Sequence, residues 1–215
     1  MGRILVIYDS GYGATADAAR IIADNLSNEG LNVDLSLVGL KHPVGYDAAI
    51  IGSPIRLSRC TLKVKKFLKM NNAALKCMQI AFFFTCMSAI NDRSGTKIPL
   101  LIDPDFNDPD KAIPRIKIME KNHTVSYYLK HLLKIIPGIS PLRISFFKGR
   151  LDFSRLSMFH RLIMRFAMFA LPEIQNGDYL NKVAIQDWAQ KLATPLKSGR
   201  HDTAEENRGR SIFDG

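Results

Sequence analysis

The residues with the clearest chemical capacity lie in the segment DSGYGAT, which follows an apolar run near the start of the sequence. Glycines let a backbone approach a ligand closely, and the hydroxyls of Ser10 and Thr15 add hydrogen-bond donors. A helical pattern begins directly after the segment. The loop amides and the helix N-terminus would therefore point at one ligand and favour an anion. We predict a phosphate-binding loop that comprises Ser10, Gly11, Tyr12, Gly13, Ala14 and Thr15.

Two familiar nucleotide-binding patterns are not met in this loop. No Lys follows the last glycine, so the GxxxxGK pattern of nucleotide triphosphatases does not apply. Gly11-Tyr12-Gly13 is followed by Ala14-Thr15-Ala16, so the dinucleotide pattern GxGxxG is not met either. The alternative to a phosphate site is a tight strand-to-helix turn in which Thr15 caps the helix.

The elements that must position this loop alternate along the chain. Continuous apolar runs predict strands that are buried on both faces, and the alternation in VDLSLV predicts an edge strand with one solvated face. The strands are expected at residues 3–8, 33–38, 47–52, 78–85 and 142–148. Helices are expected at residues 15–28, in a basic stretch that ends near residue 70, and at residues 123–136, 154–171 and 179–196. Val183, Trp188 and Leu192 are candidate core residues of the last helix.

This order predicts an α/β protein with a parallel sheet and right-handed crossovers. Residues 91–122 contain four prolines and an acidic patch. They are too long for a connecting loop, so they are predicted to form an insertion before the fourth helix. We expect one domain over residues 1–196 and a disordered tail at residues 197–215.

The composition limits the classes of partner. The chain carries 30 Lys and Arg against 20 Asp and Glu, a net charge of +10. Such a surface attracts nucleic acid, anionic lipid head groups and acidic small molecules. No helix-turn-helix, zinc-finger or RNA-binding aromatic pattern accompanies the charge, so no nucleic-acid partner is predicted. The three cysteines and five histidines lack metal-ligand spacing, which predicts no metal site and favours a reduced, intracellular protein.

The segment DSGYGAT resembles the phosphate loop of flavodoxins, T/S-x-T-G-x-T, with Ser10, Gly13 and Thr15 matching in place. The resemblance implies a flavodoxin-like sheet of strand order 2-1-3-4-5 and FMN at the switch between its first and third strands. It further implies that two more loops enclose the flavin ring. These loops comprise Ser53, Pro54, Ile55, Arg56 and Leu57 after the third strand, and Thr85, Cys86, Met87, Ser88 and Ala89 after the fourth.

A narrower resemblance covers residues 1–196. The segments IIGSPIR at 50–56, FKGRLDF at 147–153 and VAIQDW at 183–188 are similar to segments of the bacterial flavodoxin-type, menaquinone-dependent protoporphyrinogen IX dehydrogenases. The resemblance implies an FMN-dependent oxidoreductase that passes electrons from a porphyrinogen to a quinone. The flavin would supply the chemistry, so no catalytic side chain is assigned. Gly149 and Arg150 are the expected substrate contacts. The chain departs from the family in its longer insertion, and in having Phe153 and Phe159 where several Tyr and Trp residues are expected.

Arg56 and Cys86 each admit two interpretations. The Arg56 guanidinium would stabilise the anionic reduced flavin, or it would begin the solvated basic run that continues through Arg59, Lys63 and Lys65. Cys86 invites a redox role, but a small buried hydrophobic side chain at a strand end is favoured.

The helix predicted at residues 154–171 also admits two interpretations. Arg161 and Arg165 share one face and would contact a membrane surface, or they would point into water from a helix packed on the domain. No signal peptide or spanning segment is evident, so we expect a cytoplasmic protein that is soluble or peripheral on the inner face of the cell membrane.

Two alternative functions stay open. One is a flavodoxin-like electron carrier or quinone reductase with another donor. The other is a flavin-free interaction module that uses its basic face. The sequence also leaves a homo-oligomer open.

Overall fold

The computed structural model describes residues 2–56, 58–92, 96–106, 122–151 and 177–198. Its strands are β1 (Arg3–Tyr8), β2 (Asn32–Leu37), β3 (Ala48–Arg56), β4 (Arg59–Cys60), β5 (Gln79–Cys86), β6 (Leu100–Ile102), β7 (Arg143–Lys148), β8 (Arg150–Leu151) and β9 (Gly177–Asp178). Its helices are α1 (Ala14–Asn28), α2 (Leu62–Met70), α3 (Asn72–Lys76), α4 (Val125–Ile135) and α5 (Lys182–Ser198), with a 3₁₀ turn at Pro104–Phe106.

The central sheet has the order β2-β1-β3-β5-β7-β6, and each neighbouring pair in it is parallel. The chain starts in the middle of the sheet, moves to one edge with β2, and returns across β1 to β3. In the register of these strands, Val6 lies beside both Leu35 and Ile50. The predicted doubly wound order 2-1-3-4-5 is confirmed for the strands β1, β2, β3, β5 and β7.

The first part of the predicted insertion adds a strand that the sequence did not indicate. β6 pairs with β7 in register Leu100–Ile144 to Ile102–Phe146 and forms the outer edge of the sheet. Three residues are too few for a periodic pattern, and their pairing partner lies about forty residues further along the chain. The remainder of the insertion, residues 107–121, lies outside the described residues.

Alternation along the buried strands gives the sheet two apolar faces. Ile4 and Val6 pack beneath α1 and α5, while Leu5 and Ile7 pack beneath α2, α3 and α4. Trp188 of α5 is fully buried on the first face, where its ring contacts Phe83 and Phe147. The sheet is therefore covered by helices on both sides, as a parallel sheet requires.

The last helix confirms two of the three core predictions. Trp188 and Leu192 are fully buried, but Val183 is 74% exposed. Val183 lies in the first turn of α5, on the side of the helix opposite the buried stripe of Ile185, Trp188 and Leu192. The helix also includes Lys197 and Ser198, which were assigned to the tail, and Lys197 Nζ pairs with Glu29 Oε2 of α1's C-cap at 2.7 Å. Residues 152–176, which include the predicted basic helix, and residues 199–215 lie outside the described residues.

β2 occupies the edge of the sheet as predicted, but its polar residues do not mark a solvated face. Ser36 is 8% exposed, whereas Leu35 and Leu37 are 37% and 43% exposed. The segment between β2 and β3 forms no helix, and its Tyr46 hydroxyl donates to Asp34 Oδ2 at 2.5 Å. This segment covers the polar side of β2. Alternating polar and apolar residues show which side chains share a face of a strand, but they do not show which face another segment covers.

Candidate functional site

Three of the predicted site segments meet at the carboxyl edge of the sheet. They follow or end the adjacent strands β1, β3 and β5, and the carboxyl ends of parallel neighbours lie together. The Asp9 amide donates to Gly52 O at 3.1 Å, which joins the end of β1 to β3. The Thr15 and Thr85 hydroxyls are buried and lie 2.7 Å apart, which joins α1 to the end of β5. The structure therefore brings together residues that are far apart in the sequence.

The loop after β1 has the geometry of an anion site. Gly13 occupies the N-cap of α1 with φ of 97°, and no side chain caps the helix. The Gly13 amide donates to Ser10 Oγ at 3.2 Å, and the first helical bond runs from Asp17 N to Gly13 O at 2.9 Å. The amides of the first turn therefore have no acceptor within the helix and point out of its N-terminus. An uncapped N-terminus of a helix this long favours an anionic ligand.

The buried hydroxyl pair contributes one further donor. A bond between two hydroxyls uses one of their two protons, and the accepting hydroxyl keeps its own. Within the described residues no further acceptor is found for Thr15 or Thr85. One proton is therefore available at the base of the loop, which fits a phosphate oxygen.

Arg56 places a positive charge on the same loop. Its Cζ lies 4.7 Å from the centre of the Tyr12 ring, a cation–π distance. A Cβ atom on Gly11 would lie 1.9 Å from Arg56 Nη2, so the guanidinium rests against the bare backbone of that glycine. Arg56 therefore contacts the predicted phosphate loop and does more than begin a solvated basic run. Its predicted contact with the flavin ring stays a prediction. Free amides, a hydroxyl proton and a guanidinium together fit the phosphate of FMN.

The expected loop after the third strand is wrong in extent. β3 continues through Arg56, because Ile55 pairs with Cys60 and Arg56 pairs with Arg59 in an antiparallel hairpin. The Ser53 side chain is fully buried; its hydroxyl donates to Pro54 O and accepts from the Thr61 amide at 3.1 Å. Ser53 therefore supports the hairpin, Pro54 and Ile55 are partly buried, and Arg56 is exposed. Leu57 lies outside the described residues.

The segment after β5 is largely built into the fold. Thr85 and Cys86 belong to the strand, and Ala89 is buried. Burial raises the pKa of the Cys86 thiol, so it stays protonated and behaves as a core side chain. The Ser88 carbonyl accepts a hydrogen bond from the Tyr128 hydroxyl at 3.0 Å. Met87 and Ser88 are only partly buried and are the side chains that this segment presents to a ligand.

Gly149 and Arg150, the expected substrate contacts, lie past the end of β7. The Gly149 amide donates to Cys86 O at 2.9 Å, so Gly149 is held beside the third segment. Arg150 pairs with Asp178 Oδ2 at 2.5 Å and with Asp17 Oδ2 at 2.9 Å. The hydrogen bond that Arg150 donates to the Asp178 carboxylate is the main cause of the raised pKa of Arg150. Arg150 therefore links α1 to the β8–β9 pair, and its role toward a substrate stays a prediction.

Asp103 is a residue that sequence reasoning missed. It follows β6 at the same edge of the sheet and is fully buried. Its carboxylate accepts hydrogen bonds from the Lys148 amide at 3.0 Å, the Asp105 amide at 3.1 Å and Asn181 Nδ2 at 3.1 Å. The carboxylate therefore holds together β6, the end of β7 and the start of α5. The acidic patch IDPDFNDPD was visible in the sequence, but nothing local singles out its first aspartate.

The described residues contain no group of three or more His, Cys, Asp or Glu side chains that could hold a metal ion. Within the same residues, no helix has both the length and the apolar character needed to cross a membrane.

Comparison with known proteins gives one match by sequence and several by structure. A family model described as a flavodoxin domain matches residues 5–171. No curated protein matches the chain. Rubredoxin oxygen:oxidoreductase from the anaerobe Desulfovibrio gigas is 15% identical with a TM-score of 0.47, over 92% of this chain and 37% of that one. This chain thus spans about a third of the length of that enzyme.

Two smaller flavoproteins have similar scores. Oxidised flavodoxin 2 from Bacillus cereus is 14% identical with a TM-score of 0.46, over 91% of this chain and 99% of that one. A flavoprotein in complex with FMN from Lactobacillus acidophilus is 16% identical with a TM-score of 0.42, over 68% and 93% of the two chains. At these scores the structural likenesses carry no argument about activity, and the assignment rests on the sequence match.

The sequence match covers most of the chain, including the loop after β1 and the segments that end β3 and β5. The observed strand order is the one in which flavodoxins hold FMN at the switch between the first and third strands. These findings support FMN as the cofactor. The chain belongs to the flavodoxin domain family.

Proposed function

We propose that this protein is an FMN-dependent oxidoreductase that passes electrons from a porphyrinogen to a quinone. The proposed flavin binding is supported by the three segments that meet at one edge of the sheet. The first of them leads into an uncapped helix N-terminus and is contacted by Arg56. The porphyrinogen and quinone are supported by the three sequence segments that resemble protoporphyrinogen dehydrogenases. A strongly basic chain also suits a donor that carries carboxylates.

The protein's own contribution would be binding and exclusion of water. The first-turn amides of α1, the Thr15–Thr85 hydroxyl pair and Arg56 would hold the phosphate. Met87 and Ser88 would lie against the ring, whereas Ile55 packs toward the core beneath α2 and α4. FMN supplies the electron transfer when it is bound. No side chain of the site is assigned as an acid or base; burial raises the pKa of Tyr128, so its hydroxyl stays protonated and holds the Ser88 carbonyl.

The first experiment is an absorption spectrum of the purified protein, followed by titration of any apoprotein with FMN. We expect flavin bands, or quenching of FMN fluorescence that saturates at one equivalent. Protein that neither contains flavin nor takes it up would refute both oxidoreductase proposals and leave a flavin-free interaction module.

The second experiment tests the donor and the acceptor separately. Anaerobic mixing of the flavin-loaded protein with protoporphyrinogen should bleach the flavin band, and a menaquinone analogue should restore it. If protoporphyrinogen does not bleach the band but another reductant does, the porphyrinogen assignment fails. An electron carrier or a quinone reductase with another donor then becomes the better assignment.

Contact with a membrane surface is a further part of the proposal, because a quinone acceptor is lipid-soluble. Arg161 and Arg165 are the residues proposed for it from the sequence, and both lie outside the described residues. Replacing both by Glu should reduce co-sedimentation with anionic vesicles. Unchanged co-sedimentation would remove this part of the proposal and leave the flavin chemistry unaffected.

A further inference from the structure

A second concave site lies on the sheet face that is covered by α2 and α4. The cavity has a volume of about 270 Å³ and opens between these two helices and the β3–β4 hairpin. Apolar and aromatic side chains from three elements line its interior: Ile55, Phe84, Tyr128, Leu132 and Ile135. Phe84 and Leu132 are also members of the core beneath α2 and α4, so the cavity floor is continuous with the packed interior.

The rim of this cavity is cationic. Arg59, Lys65, Lys69 and Lys134 line it together with His131, and among the described lining residues no side chain is acidic. In the described part of the chain none of these four cations forms an ion pair, whereas Arg3, Lys41 and Lys197 elsewhere each have a carboxylate partner. α2 and α4 contain no acidic residue at all. Unneutralised cations around a low-dielectric pocket attract an anion more strongly than the same cations spread over a flat surface.

Size and lining together define the chemistry of a ligand. The volume lies just below the range of roughly 300–1,000 Å³ for small-molecule sites, so it suits one alkyl chain or a single ring rather than a macrocycle. An apolar interior with a cationic rim is complementary to a molecule with an apolar body and an anionic head. Leu62, which is 83% exposed at the mouth, extends the apolar surface outward.

Two residues that line the cavity, Ile55 and Tyr128, are also linked to the candidate flavin site. Ile55 lines the cavity and directly precedes Arg56, which lies over the phosphate loop. Tyr128 lines the cavity, and its hydroxyl donates to Ser88 O in the segment after β5. A ligand in the cavity would therefore contact groups that position two of the three flavin-site segments.

We propose that this cavity binds an anionic amphiphile, with its apolar chain or ring between α2 and α4 and its head group among Arg59, Lys65, Lys69 and Lys134. The amphiphile is a free carboxylate-bearing molecule or an anionic lipid within a bilayer, since both have the same chemistry at the rim. The site does not depend on flavin binding, so the proposal goes beyond the proposed function.

The test uses the full chain as purified and two probes, decanoate and phosphatidylglycerol vesicles. Decanoate binding is followed by titration calorimetry, and vesicle binding by co-sedimentation. The site variant is the pair Lys65→Gln and Lys69→Gln. The matched control is Lys66→Gln with Lys182→Gln, which removes the same charge from exposed positions outside the cavity. A second variant, Ile135→Phe, fills the cavity without changing charge.

We expect the replacement of Lys65 and Lys69 to weaken binding about tenfold, which is the size of one lost charged contact. The control replacement should weaken binding less than twofold. Ile135→Phe should abolish it. If decanoate binding shows these three effects, the natural ligand is a free amphiphile. If only vesicle binding shows them, the ligand is a lipid within a bilayer. The proposal is overturned if neither probe binds, or if the two lysine pairs lose binding equally. Thermal unfolding verifies that each variant folds, and the flavin spectrum reports separately on the proposed function.

Discussion

Arg56 and Gly11 show how the absence of one side chain positions another. The guanidinium rests on the backbone of Gly11 and over the Tyr12 ring, a position that a Cβ at residue 11 would occupy. The result is a fixed positive charge beside an uncapped helix N-terminus. The sequence placed Gly11 and Arg56 in two separate segments, and only the fold brings them into contact.

Replacing Arg56 by Gln should weaken FMN binding by about 10- to 100-fold, because a charged hydrogen bond is worth roughly 1.5–3 kcal/mol. The measurement is fluorescence titration of apoprotein. Arg59→Gln is the control, since Arg59 pairs with Arg56 through the backbone but does not touch the loop. Equal losses in both variants would contradict the placement of Arg56 at the phosphate.

The Thr15–Thr85 pair joins α1 to β5 across 70 residues of sequence. Either single replacement by Val leaves a buried hydroxyl without its partner and should cost about 1–3 kcal/mol of unfolding free energy. The double variant should lose less unfolding free energy than the two single variants together, because it leaves no buried hydroxyl without a partner. Urea unfolding of all four proteins tests this, and strictly additive losses would argue against a direct bond.

At the scale of the elements, β2 is held by a connection that contains no helix. Asp34 accepts from the Tyr46 hydroxyl and pairs with Lys41 and Arg3. These partners, Tyr46 first, lower the pKa of Asp34 from 3.8 to about 2. The segment between β2 and β3 therefore holds the edge strand through charged and hydrogen-bonded contacts, not through a packed helix.

This cluster predicts a loss of stability in acid. Because the pKa of Asp34 is lower in the folded state, its contribution is fully present above pH 3.8 and disappears as the pH falls toward 2. Asp34→Asn should therefore destabilise the protein at pH 6 and have little effect near pH 2. Thermal unfolding across this range is the measurement. Asp187→Asn, which removes an exposed pair on α5, is the control. A constant difference at every pH would refute the prediction.

At the scale of the whole molecule, Asp103 connects parts that are distant in sequence. It is buried where β6, β7 and α5 meet, and it accepts from a side chain 78 residues away. The inserted strand is thereby joined to the body of the sheet at the carboxyl edge. The two sides of the sheet also differ in charge, since α2 and α4 carry cations alone while α1 and α5 carry both signs.

Asp103→Ala should lower the free energy of unfolding by about 3 kcal/mol, because it leaves the amides of Lys148 and Asp105 without their acceptor and removes one of the two acceptors of Asn181 Nδ2. Asp105→Ala is the matched control. Asp105 is exposed and accepts one bond from Asn181 at 3.2 Å, so its loss should cost less than about 1 kcal/mol. Chemical unfolding of both variants is the measurement. Equal losses of unfolding free energy would show that the burial of Asp103 contributes nothing to stability.

The resemblance to flavodoxins implied the strand order, and the sequence by itself determined the strands β1, β3, β5 and β7, the helices α1 and α4, and the glycine-containing turn between β1 and α1. These depend on local apolar runs, on helical periodicity and on glycines at a strand-to-helix turn, all of which are written within a few residues. It did not determine that β3 extends to Arg56, that β6 exists, or that Val183 is exposed and Ser36 buried. Each of these depends on a partner that is distant in sequence or on which face another segment covers. Only the tertiary structure decided them, because pairing and burial are properties of the assembled chain and not of any local stretch.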